Sequence, residues 1–247
     1  MRRIGFSTGA VARGDFRAAL STLRRYGVDT VELSALRLSE LAPLAVALDS
    51  LDLSGFSFVS VHAPSRFERE DEAVVLAHLG RFVGLGYPVV VHPDVIFEHE
   101  GWRGLGKQLL IENMDKRKAI GRTVEELEPI FERFSEARFC FDIGHARQVD
   151  PSMTEASLLL RAFGGRLAEA HMSEVNTASR HDPISLNAVA AFGAVAPLIP
   201  EDVPVILESL IDEGQSDVEA EIERARQVFG AVARAESRAA RMSIVFA

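Results

Sequence analysis

The sequence predicts an α/β protein with the fold of a (β/α)₈ TIM barrel, in a single domain over residues 1–247. Eight short apolar runs rich in Val, Ile, Leu and Phe recur about every 30 residues, close to the length of one strand-and-helix unit. Continuous apolar runs are typical of strands buried on both faces, as parallel strands are. The length of 247 residues is also usual for such a barrel.

The eight predicted strands read IGFST from Ile4, TVELS from Thr30, FSFVSVH from Phe56, PVVVH from Pro88, LLIEN from Leu109, RFCFD from Arg138, LAEAH from Leu167 and VILES from Val205. A doubly wound open sheet is the alternative architecture. That fold ordinarily has a glycine-rich phosphate loop after its first strand, and the segment GFSTGAVARG matches that loop poorly.

The segments between the strands have helical periodicity. Asp15–Tyr26 places Phe16, Leu20 and Leu23 on one face, and Gly27 ends it. Further helices are predicted at Ser39–Leu51, Glu70–Phe82, Thr123–Phe134, Thr154–Phe163 and Asp217–Ala240. Thr123 with Glu126 three residues later predicts a capping box. Pro93–Lys107 contains several glycines, so only a short helix or an irregular loop is expected there.

Composition limits the function classes. The 36 acidic residues outnumber the 27 basic ones, for a net charge of −9, which disfavours a protein that coats nucleic acid but allows a local basic patch. Cys140 is the only cysteine, so no intrachain disulfide can form, and a cytoplasmic location is expected. No apolar run is long enough for a signal peptide or a membrane span. The apolar segment 241–247 would cover the barrel base or a partner subunit, which leaves a homo-oligomer open.

Groups that can ligate a metal end seven of the eight predicted strands. They are Glu32, His62, His92, Glu112, Asp142, His171 and Glu208. A barrel brings the carboxyl ends of its strands together, so these side chains should converge. One such residue alone is more often a hydrogen-bonded core or capping group. Four converging carboxylates, however, would repel one another and lose hydration, so the set predicts a metal site.

Two more histidines follow the predicted strands. His145 lies three residues after Asp142 in FDIGHA, and His181 lies in SRHDP, which is predicted to be a loop after the seventh strand. Mixed nitrogen and oxygen ligands suit Zn²⁺, Mn²⁺, Co²⁺ or Mg²⁺, and the number of imidazoles favours Zn²⁺ or Mn²⁺ over Mg²⁺. We interpret Cys140 as core packing.

Six segments in order, VHAPS, VVHPD, LLIENMD, CFDIGHA, EAHMSE and VILES, carry a family resemblance along the whole chain. The chain resembles the xylose-isomerase-like barrel superfamily, which includes sugar isomerases and epimerases and the endonuclease IV (AP endonuclease family 2) enzymes. The resemblance implies a metal site formed by Glu112, Asp142, His171 and Glu208.

The two branches differ in the number of ions, which the resemblance sets at one to three per chain. In the endonuclease IV-like branch a second ion would use His62, His92 and Glu112. A third would use His145, His181 and an aspartate whose position holds Ser179 here. In the isomerase branch the four-residue site suffices, and Glu112 and Glu208 would move a proton next to a carbonyl.

The additional histidines favour a metal-dependent phosphoester hydrolase, because several ions can generate a hydroxide and hold the oxygens of a phosphoester. A sugar or sugar-phosphate isomerase or epimerase is the alternative, and a non-catalytic metal-binding barrel is a third. In either enzyme class Glu112 and Glu208 are the predicted catalytic residues.

Basic residues are predicted to lie on the rim of the site. Lys116, Arg117, Lys118 and Arg122 follow the fifth strand and Arg147 follows the sixth, so they would attract a phosphate, although a solvated basic loop explains them equally well. Lys116, Arg117 and Arg147, together with Glu32, are the predicted substrate contacts. The expected substrate is small and anionic or phosphorylated. The net charge does not favour nucleic acid.

Overall fold

The computed structural model of the protein describes residues 2–211 and 217–230. Within them the strands are β1 Ile4–Ser7, β2 Thr30–Ser34, β3 Phe58–His62, β4 Val89–Val91, β5 Leu109–Glu112, β6 Arg138–Asp142, β7 Leu167–Met172, β8 Glu174–Val175, β9 His181–Asp182 and β10 Val205–Leu207. Eight of them close into a parallel barrel in the order β1-β10-β7-β6-β5-β4-β3-β2. The predicted fold class is confirmed, and every predicted run supplies a barrel strand.

The described helices are α1 Thr8–Ala12, α2 Phe16–Arg25, α3 Leu38–Ala47, α4 Glu72–Gly84, α5 His99–Arg103, α6 Val124–Arg133, α7 Ile143–Val149, α8 Thr154–Phe163, α9 Leu186–Gly193 and α10 (218–230). The sequence did not predict α1, α7 or α9. Between β4 and β5 only the five-residue α5 forms, as expected. Residues 231–240 of the predicted last helix and the tail 241–247 lie outside the described residues, so one domain over 1–247 stays a prediction.

None of the helices in residues 2–211 and 217–230 is long and apolar enough to cross a membrane. Their apolar sides pack on the outward faces of the strands. For example, Phe131 of α6 and Phe163 of α8 lie 4.7 Å apart by ring centroids and both contact Phe139 of β6. The core therefore lies mainly between the barrel and its helices.

Helix α6 begins where the sequence predicts, but its cap differs from the predicted reciprocal box. The Thr123 side chain accepts a hydrogen bond from the backbone N–H of Glu126. The Glu126 carboxylate instead accepts from the backbone N–H of Arg122, at 2.8 Å. Only half of the capping box therefore forms, because Glu126 also pairs with the Arg122 guanidinium.

The inside of the barrel is partly polar. Val90, Leu110 and Cys140 form a small buried cluster with Ala168, which agrees with core packing for Cys140. Two residues before the ends of their segments, Glu32, Ser60 and Glu169 are also fully buried. Strands β1 and β2 can approach closely because Gly5 has no side chain. A Cβ at this position would lie 1.7 Å from the Thr30 carbonyl oxygen. The barrel thus carries a layer of buried polar groups just below its carboxyl end.

Candidate metal centre

The side chains predicted to ligate a metal meet at the carboxyl end of the barrel in four overlapping groups, one of which consists of Glu32, His62 and His171. Ligand atoms lie within 4.8 Å of one another in the four-residue group, the His62–His92 group and the His145–His181 group. The four-residue group consists of Glu112, Asp142, His171 and Glu208. The His62–His92 group also contains Glu112, and the His145–His181 group also contains Asp142. Four residues each belong to two groups: His62, Glu112, Asp142 and His171. Strand pairing produces this convergence, since Asp142 of β6 lies beside His171 of β7.

Glu112 stands between two groups of nitrogen ligands. Its Oε2 atom lies 3.2 Å from His62 Nε2 and 3.1 Å from His92 Nε2. Its Oε1 atom lies 3.3 Å from His171 Nδ1. Because its two oxygens face different sets of imidazoles, this carboxylate could contribute one oxygen to each set.

The fixed position of Asp142 depends on its neighbours in the chain. Its Oδ1 atom caps α7 by accepting the N–H of His145 at 2.7 Å, which leaves Oδ2 directed into the centre. Asn113 bonds both the N–H and the carbonyl of Asp142, each at 2.8 Å. A Cβ on Gly144 would lie 2.4 Å from the Ser173 carbonyl oxygen, so glycine allows α7 to start against the end of β7. Sequence reasoning missed Asn113, although it directly follows Glu112.

The other side of the centre is formed by Glu208 and the histidines beside it. Glu208 Oε1 lies 3.6 Å from His171 Nδ1, and Glu208 Oε2 lies 3.4 Å from His181 Nδ1. His181 belongs to β9, which pairs antiparallel with β8, rather than to an irregular loop. Ser179 has a φ of 52°, and its hydroxyl accepts from Gln148 Nε2 at 3.0 Å. The His145–His181 group therefore has Asp142 as its carboxylate and no side-chain carboxylate at position 179.

Crowding of buried carboxylates and imidazoles shifts the pKa values in the centre. Burial lowers the pKa of His62, but the charges of Glu32, Glu112 and Glu208 outweigh it and raise the value to about 9. Burial raises the pKa of Glu208 to about 8, and neighbouring carboxylates add to that effect while His171 opposes it. Burial and the adjacent His145 lower the pKa of His181 to about 4. Without a cation, protons must balance the crowded negative charge.

The donor atoms fit a divalent cation. Buried side-chain atoms without a hydrogen-bond partner include Asp142 Oδ2, Glu208 Oε2 and His92 Nδ1. Buried polar atoms are nearly always hydrogen-bonded, so such atoms call for an explanation. The two unpartnered oxygens belong to the four-residue group, and its donor set of imidazole nitrogens and carboxylate oxygens suits Zn²⁺ or Mn²⁺.

A cleft of about 440 Å³ opens over the centre. Four basic residues, Arg37, Arg66, Arg117 and Lys118, contribute to its lining. Lys118 Nζ is 2.8 Å from the Asp94 carboxylate, whereas Arg37, Arg66 and Arg117 are largely exposed. Sequence reasoning singled out Arg117 and Lys118 but missed Arg37 and Arg66, which follow β2 and β3 in the same kind of strand-to-helix loop.

The remaining predicted rim residues do not line this cleft. Lys116 is exposed, and its backbone N–H bonds Gln148. Arg122 pairs with Glu126, and Arg147 lies 2.8 Å from Glu174. The sequence wrongly placed Glu32 at a strand end, because it lies inside β2, fully buried, and does not line the cleft that a substrate would enter.

Comparison with known proteins shows the fold. Endonuclease IV from Thermus thermophilus has a TM-score of 0.58 and 19% identity, covering 93% of this chain and 98% of its own. A protein assigned as a sugar phosphate isomerase/epimerase from Anabaena variabilis has a TM-score of 0.50 and 16% identity, covering 92% and 88%. The chain has the (β/α)₈ barrel fold that these two proteins share.

The same architecture serves other chemistry. Dihydropteroate synthase from Yersinia pestis matches with a TM-score of 0.55 and 13% identity over 94% of this chain and 93% of its own. No family model matches the sequence, and no curated protein matches it. The function must therefore be argued from the side chains of the site.

Proposed function

We propose that the protein is a metal-dependent hydrolase that cleaves phosphate esters of small anionic substrates. The observation that carries this proposal is Glu112, whose two oxygens each face a different set of imidazoles. A bridging carboxylate of this kind is what a two-ion centre needs. The ions, Zn²⁺ or Mn²⁺ by their ligands, would supply a hydroxide at neutral pH and neutralise the charged oxygens of an in-line displacement.

The residues of the centre would have distinct tasks. The four-residue group would hold one ion, the His62–His92 group a second, and Glu112 would bind both. The His145–His181 group would bind a third ion more weakly, because Ser179 supplies no carboxylate. Asp142 would be held in place by its helix cap and by Asn113.

The lining of the cleft supports an anionic substrate. Arg37, Arg66 and Arg117 lie at its mouth, and guanidinium groups bind phosphate through paired hydrogen bonds. The cleft volume of about 440 Å³ suits a small molecule, and the net charge of −9 opposes tight duplex binding. A small phosphodiester or phosphomonoester is therefore a better candidate than abasic DNA.

The test starts from the full chain stripped of metal with a chelator. With Zn²⁺ or Mn²⁺ restored we expect hydrolysis of an activated phosphodiester, and a metal-to-protein ratio of about two or more by elemental analysis. An abasic duplex serves as the nucleic-acid comparison. Binding of only a single ion, with no cleavage under any metal, would refute the proposal.

An isomerase or epimerase is the second candidate, and Ser179 is the observation that favours it. Loss of the usual carboxylate leaves the four-residue group as the most complete site, and that group alone would serve proton transfer with Glu112 and Glu208 as acid and base. Incubation of ketoses and ketose phosphates in D₂O separates the two. Deuterium uptake beside the carbonyl, followed by NMR, would favour the isomerase.

A further inference from the structure

Below the metal centre, two glutamates converge on the far side of one of its ligands. His171 Nδ1 faces Glu112 and Glu208, at 3.3 and 3.6 Å. Its other nitrogen, Nε2, lies 3.3 Å from Glu32 Oε2 and 3.4 Å from Glu169 Oε1. Glu32, Glu169 and His171 are all 0% exposed. Sequence reasoning treated Glu32 as a substrate contact and did not notice Glu169.

The fold directs Glu169 at this point. Phe139 pairs with Leu167 and Cys140 pairs with Glu169, so Ala168 is an extra residue in β7. Ala168 packs in the inner cluster while Leu167 packs in the outer core, which means that consecutive residues 168 and 169 both face the barrel axis. Ser60 Oγ donates to Glu169 Oε1 at 2.8 Å and fixes that carboxylate beside the imidazole.

Neither glutamate forms a direct ion pair with a lysine or arginine in the described residues, although Glu32 also lies beside His62. Glu32 Oε2 and Glu169 Oε2 have no hydrogen-bond partner. Buried carboxylates without a counter-charge are costly, so they do not account for stability of the barrel. Their shared neighbour is His171.

The chemistry of imidazole explains the arrangement. When Nδ1 ligates a metal, the neutral ring carries its only proton on Nε2, and that buried N–H needs an acceptor. Glu32 and Glu169 are acceptors on the correct side. Cys140 lies against the same ring, but a thiol is a weak acceptor. Carboxylates bonded to a metal-ligating histidine orient the ring and strengthen it as a donor.

We propose that Glu32 and Glu169 are a pair of positioning residues that accept the Nε2–H of His171 and hold its Nδ1 toward Glu112 and Glu208. This inference rests on the metal-binding part of the proposed function and is independent of which reaction follows. The pair acts through His171 and touches neither substrate nor cleft.

The test measures metal affinity and the histidine proton, without using activity. Two double variants are compared, Glu32→Gln/Glu169→Gln and Glu32→Met/Glu169→Met. Glutamine keeps an acceptor oxygen without the charge, and methionine keeps the size without the acceptor. The matched control is Glu72→Gln, a buried glutamate that bonds the Trp102 indole and the backbone at residues 97 and 98.

Co²⁺ is titrated into each metal-free full-length protein and followed by visible absorption. We expect the four-residue group to bind about tenfold more weakly in the glutamine pair and about 100-fold more weakly in the methionine pair. In the Zn²⁺-loaded protein, the exchange-protected Nε2–H proton resonance of His171 should move in both variants. The control should match the wild type in both measurements.

Thermal unfolding of the metal-free proteins separates positioning from a structural role. Neutral residues of similar size replacing unpaired buried charges should leave Tm unchanged or higher. The single Glu169→Gln variant repeats the comparison if a double variant does not fold.

Wild-type affinity and an unmoved resonance in the variants would overturn the inference. Loss of an additional equivalent of Co²⁺, with the four-residue group unaffected, would also overturn it and assign Glu32 and Glu169 to an inner cation site. A wild-type protein that binds metal but cleaves no phosphoester would remove the proposed hydrolysis and leave this inference standing. Absence of metal binding in the wild type would remove both.

Discussion

The side chains at the carboxyl ends of the strands and those of the loops that follow differ in their exposure to solvent. Glu112, Asp142 and His171 are almost fully buried and are fixed by strand pairing and by each other. The basic side chains that follow the strands are exposed or partly exposed, and several pair with local acids, as Arg147 does with Glu174. A buried side chain at a strand end is held in one orientation by its neighbours, whereas an exposed side chain of a loop can adopt many.

This contrast assigns different energetic roles to the two regions. The buried centre concentrates charge where water cannot screen it, so a single change there should be severe. The rim works through exposed charges, which salt screens and which add little to stability. Variants in the two regions should therefore differ in size of effect, in metal content and in salt dependence.

The strongest challenge to the role of the strand ends is Glu112→Gln. Because Glu112 would bind two ions, we expect activity to fall at least about a thousandfold, equivalent to about 4 kcal/mol of transition-state stabilisation, with loss of bound metal. Turnover and elemental analysis measure the two effects. Glu98→Gln, at an exposed glutamate, is the control. Full metal loading with normal turnover would contradict the bridging role.

The double variant His62→Ala/His92→Ala tests whether the strand ends hold separate ions. We expect one metal equivalent to be lost, the four-residue group to stay loaded, and activity to fall about 100-fold or more, because one of the ions that hold the reacting oxygens is gone. The control is His78→Ala/His99→Ala, at histidines outside the four groups. An unchanged metal ratio would make His62 and His92 substrate or core residues.

The buried centre should also respond to pH in a way that the rim cannot. Glu208 and His62 must lose a proton to ligate, and their pKa values are raised to about 8 and about 9, so a metal ion must compete with protons near neutral pH. Metal affinity should therefore rise with pH, up to about tenfold per pH unit for each displaced proton, and level off above those values. Calorimetric titration in buffers of different ionisation enthalpy measures the proton release, and a pH-independent affinity would exclude it.

The rim is tested by matched pairs of basic residues. Arg66→Ala/Arg117→Ala should raise KM for a phosphorylated substrate about tenfold at low salt, less at high salt, because each side chain lines the cleft. Lys116→Ala/Arg147→Ala, at residues that do not line it, should leave KM unchanged. Thermal stability should change by less than about 0.5 kcal/mol in the first pair. Equal effects of the two pairs would show that the rim acts only through overall charge.

Much of the centre could be predicted from sequence because it depends on regular strands. The ends of the strands could be identified in the sequence from the polar residues that follow apolar runs. A parallel barrel brings these positions together at its carboxyl end. Asn113 and Glu169 were not found. Asn113 acts through hydrogen bonds to the backbone of Asp142, which no sequence pattern indicates. Glu169 faces the barrel axis only because Ala168 is an extra residue in β7.

The sequence was sufficient to predict the barrel and most of the side chains that converge at its carboxyl end, since both follow from apolar runs with polar side chains near their ends. Only the three-dimensional arrangement showed which residues the groups share and which carboxylate oxygens have no hydrogen-bond partner. It also showed which arginine side chains lie at the mouth of the cleft. The physical reason is that strand direction is set by local periodicity and barrel closure. Contacts between residues far apart in the chain, such as Ser60 and Glu169, decide which glutamate lies behind His171. Such contacts also decide which basic side chain of a loop reaches the cleft.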